Sequence, residues 1–120
     1  MKDEINLKFS QNPPQNLEEL MQIVFWKEKD MAPIAHDFLQ NIKKWQRTEE
    51  PYQVSQWPNY CQRAGISQSQ YHNMLKRLRQ TGIIQKRYNK GKRAHELTIS
   101  EKFQEMIESI LGVWYEFIKS

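Results

Sequence analysis

Cysteine occurs once in the 120 residues, at Cys61. A single thiol excludes an internal disulfide framework and suits a reducing compartment. Glycine occurs four times, scattered along the chain, which excludes a Gly-rich nucleotide loop. No apolar run approaches the ~18–20 residues of a membrane span. The opening residues Met1, Lys2, Asp3 and Glu4 carry acids and no apolar stretch, which argues against a signal peptide. The three histidines, His36, His72 and His95, lie far apart, and none shares a metal-ligand spacing with Cys61. Neither paired carboxylates nor a nucleophile–histidine arrangement stands out. No enzyme, metal or cofactor is therefore expected. What remains is a soluble, cytoplasmic protein, without a membrane partner.

What is present points to a folded chain. Aromatic residues make up 12%, with four Trp, which is too rich for disorder. The length fits one domain. The net charge of +4 hides an asymmetry. Residues 1–60 hold seven basic and nine acidic side chains, and residues 101–120 hold two basic and four acidic. Residues 61–100 hold nine basic side chains and only Glu96, a sum of +8. Cations crowded this closely repel one another, and a polyanionic partner relieves that repulsion. Nucleic acid is the expected partner.

The periodicity predicts a mainly helical chain with one β-hairpin. Asn12, Pro13, Pro14 and Gln15 mark residues 1–15 as an extended arm, since adjacent prolines fit neither helix nor central strand. Residues 16–120 then form a single domain. Asn16, with Glu19 three residues on, caps a first helix over 17–29. A second helix starts near Pro33 and carries Ile34, Ala35, Phe38, Leu39, Ile42 and Trp45 at helical spacing. Tyr52 to Val54 alternates like a brief strand. Ser55 is positioned to cap a third helix, with Pro58 in its first turn. Trp57, Tyr60 and Cys61 face inward there, and Cys61 reads as a small core residue rather than a redox switch. Gly65 suits a left-handed end to that helix. Ser67 or Ser69 caps a fourth helix through Thr81. Ile83 to Tyr88 reads as a strand, Asn89 to Lys92 as a turn with Gly91 at positive φ, and Arg93 to Ile99 as the return strand. On that strand His95, Leu97 and Ile99 share a face. A last helix starts at Ser100.

The stretch Cys61-Gln-Arg-Ala-Gly65-Ile-Ser67, followed by inward Tyr71, Met74, Leu75 and Leu78 and closing on Gly82, Ile83 and Ile84, resembles the helix-turn-helix of MarR-like and ArsR-like regulators. Leu97-Thr98 stands where the basic wing of that pattern ends. The match covers about residues 52–100, within a core of about 33–100. It departs from the pattern at Trp57-Pro58-Asn59-Tyr60, where a Leu-Ala start is usual. The resemblance implies a winged helix-turn-helix that binds double-stranded DNA as a symmetric dimer in transcription control.

The residues support that implication independently. At 100° per residue, Ser69, Asn73, Lys76 and Gln80 point away from Tyr71, Leu75 and Leu78. This outward face holds amides, a hydroxyl and cations but no carboxylate. Gln68, Ser69, Gln70, His72 and Asn73 are base-edge candidates, because amides pair with adenine and the start of such a helix sits deepest in the major groove. Lys76, Arg77 and Arg87 are candidates for the DNA backbone, which positions without specifying. Lys90, Lys92 and Arg93 cluster at the wing tip, where cations reach an adjacent groove. Lysine on an exposed strand also deters edge pairing.

The last helix, about 100–120, carries Phe103, Ile107, Ile110, Trp114 and Phe117 at spacings of 4, 3, 4 and 3. That is a helix-pairing seam, and it is the expected homodimer interface, with the first helix packed beside it across a two-fold axis. An intrachain helical layer is the alternative. The expected function is sequence-specific DNA binding in transcription control, with room for a small-molecule effector near the interface. A winged-helix assembly module, or a replication or plasmid-maintenance protein, would use the same architecture.

Overall fold

Asn16 opens the first helix as its spacing requires. Its side-chain oxygen accepts the Glu19 backbone N–H at 2.9 Å. In the computed structural model, which describes residues 7–9 and 12–120, helix α1 spans Leu17–Val24. The expected arm falls partly outside the described residues; the described part has no helix or strand. Helix α1 is shorter than the predicted 17–29. Phe25 leaves the helix and is fully buried. The reason lies far along the chain. Arg77 donates to the Val24 carbonyl oxygen at 3.0 Å, and its guanidinium sits 5.7 Å from the Phe25 ring centre. That contact satisfies a carbonyl that the helix end leaves without a partner.

Helix α2 spans Met31–Gln46 and buries Phe38, Leu39 and Ile42 along one stripe. A short 3₁₀ turn, Val54–Gln56, leads into α3, Trp57–Ala64. Gln53 and Gln56 make the capping box here, so Ser55 is not the cap that the sequence suggested. Gly65 ends α3 in the left-handed region at φ 71°, and its N–H and that of Ile66 both reach the Cys61 carbonyl. Helix α4, Gln68–Gln80, is capped by Ser67.

Strands β1, Ile84–Asn89, and β2, Ala94–Ile99, pair antiparallel, with Lys86 opposite Leu97 and Arg87 opposite Glu96. The turn differs from expectation. Arg93, not Gly91, has positive φ, at 51°. Asn89 accepts the Lys92 N–H at 3.1 Å and draws the loop closed, leaving the left-handed position to the residue just before β2. Burial along β2 does not follow a simple in-and-out alternation. His95 is exposed, edge-on to Tyr88, while Glu96 is buried. The Tyr52–Gln53 segment lies along the far side of β2, with Leu97 N–H donating to Tyr52 and Gln53 bridging Glu96. Flanked on both sides, β2 is a central strand, and the Glu96 carboxylate accepts from Asn89 at 3.3 Å.

Helix α5 spans Lys102–Lys119, and none of its residues is buried. The alternative reading, an intrachain layer of the two terminal helices, does not form among the described residues. Helix α1 places Met21 and Val24 in its own core against α2, so α5 alone stands uncovered.

Phe38 anchors the centre of the core. It meets Tyr52, Tyr60 and Tyr71 edge-on, with ring centres 5.0 to 5.9 Å away. The Tyr52 and Tyr71 hydroxyls share a hydrogen bond of 2.6 Å, and Tyr60 donates to Asp37 at 3.1 Å. Burial raises all three phenol pKa values above the ordinary range, helped at Tyr60 by the Asp37 charge. The unfolded chain ionises these phenols near pH 10 and the folded chain only above that. Stability should hold to about pH 10 and then fall by up to ~1.4 kcal/mol per tyrosine per pH unit. Urea unfolding across pH 9 to 11.5 checks this. Tyrosinate absorbance at 295 nm should rise together with unfolding for these phenols, and full ionisation in a folded chain would contradict it.

Candidate nucleic-acid interface

Tyr71, Met74, Leu75 and Leu78 are buried and fix the rotation of α4. Gln68, Ser69, Gln70, His72, Asn73, Lys76 and Arg79 are thereby exposed on its outward side. Among the described residues, the Ser69 and Asn73 side chains have no hydrogen-bond partner within the chain. Gln68 and His72 lie within 3.4 Å of each other, and the His72 ring packs near Trp57 at 5.9 Å. Gln70 stands differently from its neighbours. Its side-chain oxygen accepts the Ser67 N–H at 2.9 Å, which makes it the second half of the helix cap. That acceptor is occupied, so Gln70 is a weaker base-edge candidate than the sequence alone suggested.

Arg77 also departs from expectation. Tied to Val24 and Phe25, it faces α1 rather than the outward side of α4. Arg79 is exposed on the outward side instead. With His72, Lys76 and Gln80 on α4 and Lys86 on β1, Arg79 lines a groove of about 520 Å³ floored by Val54, Leu75 and Leu97. The signal was present in the spacing. Positions 72, 76 and 79 follow i, i+4, i+7 and share one flank, but only the hairpin's placement shows that this flank is lined from both sides.

The hairpin divides its cations between two faces. Lys86 shares its face with Leu97 and reaches the groove, whereas Arg87 lies on the other face, opposite Glu96. At the tip, Lys90 and Arg93 are exposed. Lys92 donates to the Glu49 carbonyl oxygen and so ties the tip to the segment after α2.

The exposed charge of residues 61–100 has one sign. Of the nine cations in residues 61–100, eight are exposed and only Arg77 is half-buried. The one carboxylate, Glu96, is 2% exposed and held by Asn89. The surface of the α3–α4–hairpin unit is therefore uniformly positive, which the sequence sum of +8 understates. Cys61 lies behind this surface. It is 7% exposed, and burial raises its thiol pKa, which disfavours the thiolate that oxidant sensing needs. Among the described residues no cluster of His, Cys, Asp and Glu is arranged to hold a metal ion. Among them, too, no helix is long and apolar enough to cross a membrane.

The seam of α5 lies apart from the basic face. Phe103 is half-buried against the core, while Ile107, Ile110, Trp114 and Phe117 are 43 to 66% exposed. A family model described as an archaeal family matches residues 12–119. No curated protein and no solved structure matches the chain.

Proposed function

The chain belongs to this archaeal family, and we propose that it is a winged helix-turn-helix protein that binds specific double-stranded DNA sites as a homodimer and regulates transcription. The observation that carries this reading is the exposed positive face of α4 and the hairpin, with its single carboxylate buried. Helix α4 is the recognition helix in this reading. Gln68, Ser69, His72 and Asn73 meet base edges in the major groove. Lys76, Arg79 and Lys86 neutralise phosphates along the groove, and Lys90 and Arg93 extend the contact from the wing tip. The uncovered seam of α5 supports the homodimer. A DNA ligand puts the protein in the cytoplasm, with the nucleoid.

Selection of bound sites from a random duplex library tests the proposal. An enriched palindrome supports sequence reading by a symmetric dimer. Retention without enrichment contradicts specific reading, and no retention contradicts DNA binding. Against the enriched site, Asn73→Ala should cost about 1–3 kcal/mol of discrimination over random duplex if its amide pairs with adenine. Arg93→Ala should weaken all duplexes alike and lower the salt slope by nearly two units, about 0.9 for each of the two copies in the dimer. Equal weakening of both duplex classes by Asn73→Ala would show that the amide does not read sequence.

A further inference from the structure

The apolar stripe of α5 reads the same in both directions. Counted outward from Ile110, Ile107 and Val113 lie three residues away, Met106 and Trp114 four, and Phe103 and Phe117 seven. At 100° per residue all of them fall within about 60° of Ile110. Apart from half-buried Phe103, every one is exposed, up to 73% at Val113. A contiguous stripe of large exposed apolar side chains of this kind marks an interaction surface.

We propose that this face is covered by α5 of a second copy running antiparallel, with the two-fold axis beside Ile110. The inference rests on the homodimer reading above and gives it a geometry. Ile110 then faces its own copy, Phe103 faces the second copy's Phe117, and Met106 faces its Trp114. Charge selects the direction. Lys102, Ser109 and Glu116 follow one edge of the stripe at intervals of seven, while Gln104, Leu111 and Ile118 follow the other and carry no charge. A two-fold axis perpendicular to the helices brings like edges together. Each Lys102 then lies alongside the other copy's Glu116, level to within about 3 Å at 1.5 Å per residue. A parallel pair brings unlike edges together, and both charges face uncharged side chains. It also aligns the two helix dipoles, which the antiparallel pair opposes.

Cysteine cross-linking of the full chain tests the direction. Wild type, whose Cys61 is buried, is the control. Under mild oxidation Ile110→Cys should form a disulfide dimer. Phe117→Cys alone should not, but mixed with Phe103→Cys it should form the heterodimer. A homodimeric cross-link of Phe117→Cys would overturn the antiparallel pairing while leaving the homodimer intact. No cross-link at any position, with a monomer in sedimentation at micromolar concentration, would overturn the homodimer as well. A charge swap adds a readout that leaves the stripe untouched. Lys102→Glu should raise the dimer dissociation constant severalfold, and adding Glu116→Lys should restore it. Failure of the second change to rescue the first would contradict the antiparallel pairing.

Discussion

A triple variant, Lys76→Glu, Arg79→Glu and Lys86→Glu, is expected to lose duplex binding by several orders of magnitude while keeping its fold. All three side chains are exposed and border one groove between α4 and β1. In the proposed complex each neutralises a phosphate, and a dimer presents every one twice. Each such contact contributes about 0.9 log unit of affinity per tenfold reduction in salt. Removal of these contacts alone therefore forfeits a large factor at 0.1 M salt, and the new carboxylates add repulsion. Circular dichroism should be unchanged, because none of the three belongs to the core. Anisotropy titration of a labelled duplex reads the loss. Arg77→Glu is the informative companion. Its guanidinium caps α1 and lies over Phe25, so the main effect there should be on stability. A triple variant that binds duplex as wild type does would remove the groove from the interface.

Ile110→Glu is expected to dissociate the dimer. Ile110 is 58% exposed in the single chain, so the substitution leaves the core untouched. In the proposed pair it lies beside the axis, where two carboxylates would meet in an apolar seam. An unpaired buried charge costs several kcal/mol, and symmetry imposes it twice. Sedimentation at equal concentration should show wild type as a dimer and the variant as a monomer. DNA affinity should fall by about 10²–10⁴-fold, because two linked half-sites gain that much over one. A variant that stays dimeric would move the interface away from α5.

The α4 register was legible in the sequence because apolar residues at 71, 74, 75 and 78 leave only one way to turn the helix. The turn before it was legible too, since Gly65 suits a left-handed end and Ser67 an N-cap. What escaped was decided by contacts distant in sequence. Helix α1 stops at Val24 because Arg77, 53 residues later, takes up its end, and the same contact removes Arg77 from the basic face. The burial along β2 was not legible, because alternation counts faces but not neighbours. The Tyr52–Gln53 segment makes β2 central, burying Glu96 and leaving His95 outside. Gln70 was misread locally: it stands three residues after Ser67, the spacing of a capping box, and so was legible as a cap partner. Local chemistry was also misread at the start of α3, where Gln53 and Gln56 rather than Ser55 make the cap, and at the hairpin, where Asn89 closes the loop and Arg93 adopts the conformation assigned to Gly91.

The central claim is that the α4–hairpin face binds the DNA backbone and bases. Titration of wild-type protein into a labelled duplex at a series of salt concentrations tests it most directly. Log affinity should fall linearly with log salt, with a slope of several units, because each neutralised phosphate contributes about −0.9. No binding at the lowest salt, or affinity indifferent to salt, would contradict the account and turn the positive face toward another partner.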